Sequence, residues 1–248
     1  IDAGWLAADE LSELHDRVLH VNGSSSAFAE LPVTSRTALS SWTVEAWVKP
    51  TTLTSGTLVV RDVGLTNFGL GITVDGRAYV TFDARDLGTT GVAFETVQLA
   101  APDSLSASTW SHVAAVFDSN TDMLRLYVNG VEEASRVTVE ECVLTGPGPV
   151  RMRVGEGLSG YIDDVRIWSE VRSLAALVDS MGILLTGTES GLVSYFRFDD
   201  GGTFASDFTR RQDWLTGWGN AAVLGAGATM IAAPVDAPIL IADADSDA

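Results

Sequence analysis

Lysine is nearly missing from this chain. Lys49 is the only one in 248 residues, and arginine supplies every other basic side chain. Fifteen basic residues against 33 acidic ones leave a formal net charge of -18, which excludes charge-driven binding to nucleic acid or insertion at an anionic membrane. Such a lysine-poor, acid-rich composition fits high-GC coding bias or life in salty water. Cysteine is as scarce. Cys142 stands alone, so no internal disulfide or thiolate metal cluster can form. Its neighbours Glu140 and Glu141 would raise a thiol pKa, so it reads as a buried structural thiol. No run approaches the roughly 18 apolar residues of a membrane helix. No signal peptide is visible, and the chain opens at Ile1, as a piece of a longer precursor would.

What is present is a sandwich texture. Hydrophobic residues make up 46 %, enough for a substantial core. Residues 1–17 form an amphipathic lead-in with leucines at 6, 11 and 14. From Val18 onward short alternating runs predict strands over 18–22, 26–31, 42–49, 57–62, 67–74, 77–83, 92–99, 110–118, 123–129, 131–139, 150–155 and 161–168. Asp75-Gly76 and Asn129-Gly130 are hairpin signals between them. Leu174, Leu177, Val178 and Met181 place one short helix over 172–181. Strands at 192–198 and about 221–231 close the sheets. The pattern predicts an all-β, antiparallel two-sheet jelly roll over 18–232 with one late helix. Residues 233–248 form a proline-containing acidic tail.

The densest chemistry lies in Gly160-Tyr161-Ile162-Asp163-Asp164-Val165-Arg166-Ile167-Trp168. Read with period two, Asp163 shares the core-ward side with Val165 and Ile167, while Asp164 and Arg166 pair on the other face. A core-facing carboxylate requires backbone N–H groups, an arginine such as Arg166 or Arg197, or a hard cation such as calcium. In the tail, Asp243, Asp245 and Asp247 match the first three ligand positions of a calcium loop, without its glycine or terminal acid. They read as the start of a following calcium-binding repeat. The apolar segment 238–241 could add a strand to a neighbouring copy.

Six segments together resemble the laminin-G-like, pentraxin-related branch of the concanavalin-A-like lectin superfamily. They are residues 19–24, Trp42-Thr43-Val44-Glu45-Ala46-Trp47-Val48-Lys49-Pro50, Trp110-Ser111-His112-Val113-Ala114-Ala115-Val116-Phe117-Asp118, residues 124–130, 160–168 and 191–199. The resemblance implies two stacked antiparallel sheets, a secreted or cell-surface location, and a binding or adhesive role toward glycan, extracellular protein or copies of the chain itself. It also implies one structural calcium on Asp163, with Asn22 and Asp207 as further ligands. Relatives often carry Asp at the Asn22 position, so the neutral amide weakens such a site. The long acidic loop of pentraxins is reduced here to Gly155–Gly160 with Glu156, which leaves Glu156 with Asn67 or Asp62 as a second candidate pair.

The resemblance also raises glycoside hydrolysis, which needs two carboxylates about 5–9 Å apart in a cleft. Related hydrolases carry Glu-x-Asp-x-x-Glu on one strand; no such array occurs. Adjacent acids such as Asp163-Asp164 should point to opposite faces of a strand. His20 and His112 sit inside predicted strands as packed residues, and His15 lies in the lead-in. Trp42, Trp47, Trp110 and Trp168 fall in the shared framework. Trp214 and Trp218 lie outside it, in an aromatic, glycine-rich segment that suits either a sugar-binding loop or a plug over the sandwich end. The chain thus reads as a non-catalytic binding module, or alternatively as a structural unit assembled through its terminal segments.

Overall fold

The structure is a computed structural model that describes residues 17–31, 35–85, 94–138, 141–142, 150–209, 221–234 and 241–242. The strands are β1 Arg17–Asn22, β2 Ala29–Leu31, β3 Trp42–Pro50, β4 Gly56–Asp62, β5 Thr66–Ile72, β6 Arg77–Arg85, β7 Phe94–Ser104, β8 Ser111–Asp118, β9 Met123–Val128 and β10 Val131–Val137. They continue with β11 Glu141–Cys142, β12 Arg151–Val154, β13 Ser159–Trp168, β14 Ile183–Leu184, β15 Leu192–Phe196, β16 Phe204–Ser206, β17 Ala221–Leu224, β18 Ala228–Ala232 and β19 Ile241–Ala242. The helix, α1, is Leu174–Ser180, with the Ser173 hydroxyl accepting from the Ala176 N–H at its start.

Two antiparallel sheets stack face to face, as a jelly-roll sandwich requires. The first runs β10–β9–β8–β3–β13–β1–β18, with β15 also beside β13. The second runs β11–β6–β5–β4–β12–β2–β17–β16, with β7 also beside β6. Alternation along each strand supplies the core between them. Trp42, Val44, Ala46 and Val48 of β3 point inward with Ala78, Val80, Phe82 and Ala84 of β6. Trp42 anchors an aromatic cluster, its ring 5.8 Å from Phe68 and 5.9 Å from Phe117.

Both hairpin dipeptides turn as their residues dictate. Asn129 and Gly130 carry φ of 51° and 74°, the left-handed pair that a two-residue turn needs. The strand expected over 221–231 is two strands instead. Around Gly225 and Gly227 (φ 91°) the chain turns and crosses from the second sheet, in β17, to the first, in β18. Apolar continuity hid that break. At the tail, Ile241 and Ala242 form β19, which lies parallel to β14 with Ile183 opposite Ile241; the rest of the apolar segment expected to add to a neighbour, 238–240, lies outside the described residues.

Candidate functional site

Strand β13 departs from period two at its two aspartates. Opposite β3, Asp163 pairs with Trp47 and Arg166 with Glu45, so β13 holds one residue more than its partner. Asp164 takes the extra place with φ of 51°, a conformation that aspartate tolerates better than most side chains. The bulge puts Ile162 and Val165 both in the core. Asp163 and Asp164 both turn to the outer face. This corrects the core-ward placement of Asp163 and the expectation that adjacent acids face opposite ways. The expected Asp164–Arg166 pair is present, at 3.6 Å.

Around that bulge a buried charge network underlies α1. Glu45, fully buried, accepts from Trp168 Nε1 at 2.8 Å, meets His112 Nε2 at 3.0 Å and lies 4.0 Å from Arg166. Burial opposes its ionisation, but the His112 bond, the Arg166 charge and Trp168 outweigh it and hold the carboxyl down to about 2. Arg166 donates to the carbonyls of Ser180 at 2.8 Å and Ile183 at 2.7 Å, and Trp47 donates to that of Met181 at 2.8 Å. The network therefore fastens the helix and β14 to the sheet. The Tyr195 hydroxyl faces Asp164 without full hydrogen-bond geometry. Asp163 keeps some solvent contact, but burial and the nearby Asp164 and Asp199 carboxylates push its pKa well up.

Asn22, expected as a calcium ligand with Asp163, does not meet it. Leu19 pairs with Ile162 and Asn22 with Ser159, so Asn22 sits four places along β1 from the residue beside Asp163, about 13 Å away. Its amide oxygen instead accepts from the Ser24 N–H. Asp207 Oδ1 accepts from the N–H groups of Tyr195 and Thr209 and from the Thr209 hydroxyl. Glu156 pairs with Arg153, Asp62 pairs with Arg151 at the other end of β12, and Asn67 is buried beside Arg61. Among the described residues no three His, Cys, Asp or Glu side chains come together as a metal-ligand set. Asn22 and Asp163 are thus too far apart along their strands to share an ion. Trp214, Trp218, Asp243, Asp245 and Asp247 lie outside the described residues.

The outer face of the second sheet has a different character. Register aligns Gln98, Thr81, Gly69, Val60, Arg153, Glu30, Val223 and Phe204 in one row across the sheet, one from each of eight strands. The next row places Tyr79 against Gly71 and Thr57. Glycine at 69 and 71 leaves a bare strip of β5. The Tyr79 ring lies on that strip: a Cβ at position 71 would come within 2.7 Å of it. Tyr79 is half-buried and hydrogen-bonds the Thr57 side chain, and burial raises its phenol pKa. Thr81, Thr57 and exposed Gln98 offer uncharged donors and acceptors on one side of it, and Arg77, paired with Asp75, lies on the other. Neither glycine nor Tyr79 was singled out from sequence; the alternation Thr-Asn-Phe-Gly-Leu-Gly-Ile held the signal, as glycines on the non-core side of a strand.

A second aromatic row crosses the outer face of the first sheet. His20 pairs with Tyr161, and Tyr161 with the sole lysine, Lys49. The His20 and Trp110 rings lie 5.2 Å and 6.5 Å from that of Tyr161. His20 is thus a half-exposed surface residue, whereas His112 is buried.

Comparison with known proteins agrees with this architecture. The laminin G-type family described as the concanavalin A-like lectin/glucanases superfamily matches over residues 22–177. The chain belongs to that superfamily. No curated protein matches it by sequence. Among solved structures, it is similar to a candidate carbohydrate-binding protein from Bacteroides ovatus ATCC 8483, at 20 % identity and a TM-score of 0.64. That match covers 90 % of this chain and 61 % of the other, so the chain spans less than two thirds of that protein's length. It is also similar to the CBM40 of the Ruminococcus gnavus IT-sialidase, solved with alpha2,3 sialyllactose, at 17 % identity and a TM-score of 0.51. Here 63 % of this chain and 94 % of the other are covered. At these identities the likeness concerns the fold.

Proposed function

We propose that this chain is a non-catalytic, glycan-binding module of a larger secreted or cell-surface protein. The observation that carries the reading is the Tyr79 ring resting on Gly71, hydrogen-bonded to Thr57, with Thr81 and Gln98 beside it in the register. Pyranose rings are recognised in this way, an apolar C–H face on an aromatic and hydroxyls on nearby polar side chains. The carbohydrate-binding relatives of the same fold support it. So does the environment of the acids: Asp163 and Asp164 sit in a structural network, and Asp164 is held beside Arg166 beneath the helix connection, away from the Tyr79 face.

Isothermal titration of the purified chain against a panel of oligosaccharides tests this. At least one should bind, and Tyr79→Ala should weaken it by about five- to thirtyfold, the loss of a stacked ring being worth about 1–2 kcal/mol. Saccharide turnover by the chain would overturn the non-catalytic reading.

A further inference from the structure

Resting on the reading of the Tyr79 face as a glycan site, we infer that its ligand is an uncharged glycan, not one bearing carboxylate, sulfate or sialic acid groups. Recognition of an anionic sugar calls for a cation that can form a charge-assisted bond. Among the described residues, Arg77 stands two places along β6 from Tyr79, and Arg151 and Arg153 lie three strands away on β12; each already holds a carboxylate. Arg77 pairs with Asp75 at 2.5 Å and Arg151 with Asp62 at 3.3 Å. Arg153 pairs with Glu30 at 3.4 Å and Glu156 at 3.0 Å, its guanidinium lying 4.1 Å from the Phe28 ring centre. Turning any of them toward an anion would abandon a carboxylate. Arg85 stands six residues along β6 from Tyr79, about 20 Å away.

The acids point the same way. Asp83, two places along β6 from Thr81, accepts from the Thr66 N–H at 2.6 Å and the Thr96 hydroxyl at 2.7 Å, so that end of the platform presents a carboxylate where an anionic sugar would need a cation. The chain's net charge of -18 adds a repulsive field toward any polyanion, felt over a Debye length of about 10 Å. What the centre of the face offers instead is Thr57, Thr81 and Gln98. Hydroxyl and amide groups both donate and accept, and so match the hydroxyls of a neutral pyranose.

The test is affinity electrophoresis with two sets of soluble polymers, at about 50 mM and about 500 mM NaCl. One set holds neutral polysaccharides of gluco, galacto, manno and xylo configuration; the other holds polygalacturonate, alginate and polysialic acid. Retardation by a neutral polymer, changed less than about twofold by salt and lost in Tyr79→Ala, is the expected result. Gln98→Lys, a change at an exposed position, should add salt-sensitive retardation by an anionic polymer. Salt-suppressed binding of the wild type to an anionic polymer, with Tyr79 required, overturns the inference and leaves the glycan reading standing. Retardation by neither set overturns both. Neutral binding that survives in Tyr79→Ala, with the variant shown to be folded by circular dichroism, removes this face as the site.

Discussion

Arg166 Nη2 lies 3.6 Å from Asp164 Oδ2 and donates at 2.7 Å to the carbonyl of Ile183. One guanidinium thus neutralises a buried acid and fastens β14 to the sheet. Replacing it leaves the Asp164 and Glu45 charges unmatched and the Ser180 and Ile183 carbonyls without their donor. Arg166→Met should destabilise the fold by about 3–5 kcal/mol in urea denaturation. A loss below about 1 kcal/mol would show that the network holds nothing together.

Two acids on this face should answer pH in opposite directions. Glu45 is depressed to about 2, so its contribution is complete above about 4.5 and fades as pH falls toward 2. Asp163 is raised, by burial first and then by Asp164 and Asp199, so it costs stability progressively as pH rises from the ordinary carboxylate range through that raised value, and the cost is complete above it. Asp163→Asn keeps an oxygen for the Asp164 N–H, which Asp163 Oδ1 now accepts at 2.9 Å. The variant should therefore melt higher than wild type at pH 7, with the gain shrinking in acid. Equal melting temperatures at pH 7 would contradict the assigned environment.

Gly71 is required for a spatial reason. A Cβ there would stand 2.6 Å from the Gly56 carbonyl oxygen and 2.7 Å from the Tyr79 ring. Gly71→Ala should destabilise by about 1–3 kcal/mol, as overpacked sites do, and should weaken glycan binding by lifting the ring. Unchanged stability by thermal melting would mean that Tyr79 does not rest there.

Much of the fold was legible in the residues. Alternation exposed the two sheets, Asn129-Gly130 marked its hairpin, and the Leu174–Met181 stripe located the helix. The misses have physical causes. The Asp163–Asp164 bulge breaks period two, and without it the faces of Ile162 and Asp163 exchange. The turn at Gly225–Gly227 interrupts an apolar run that reads as one strand. Asn22 and Asp163 share neighbouring strands in the resemblance, but register separates them along β1. The Tyr79 face was hidden because its distinguishing feature is an absence of side chains on β5, visible only once β4 and β6 are set beside it.

Two half-exposed tyrosines, one on each outer face, offer alternative platforms for a sugar ring. Tyr79 rests on Gly71 in the second sheet, and Tyr161 stands between His20 and Trp110 on the first. The decisive measurement is the affinity of Tyr79→Ala and Tyr161→Ala, side by side, for a polysaccharide that binds the wild type. Tyr79→Ala should lose about five- to thirtyfold in affinity, and Tyr161→Ala should stay near wild type. The reverse pattern would contradict this and assign the glycan to the face that carries the helix.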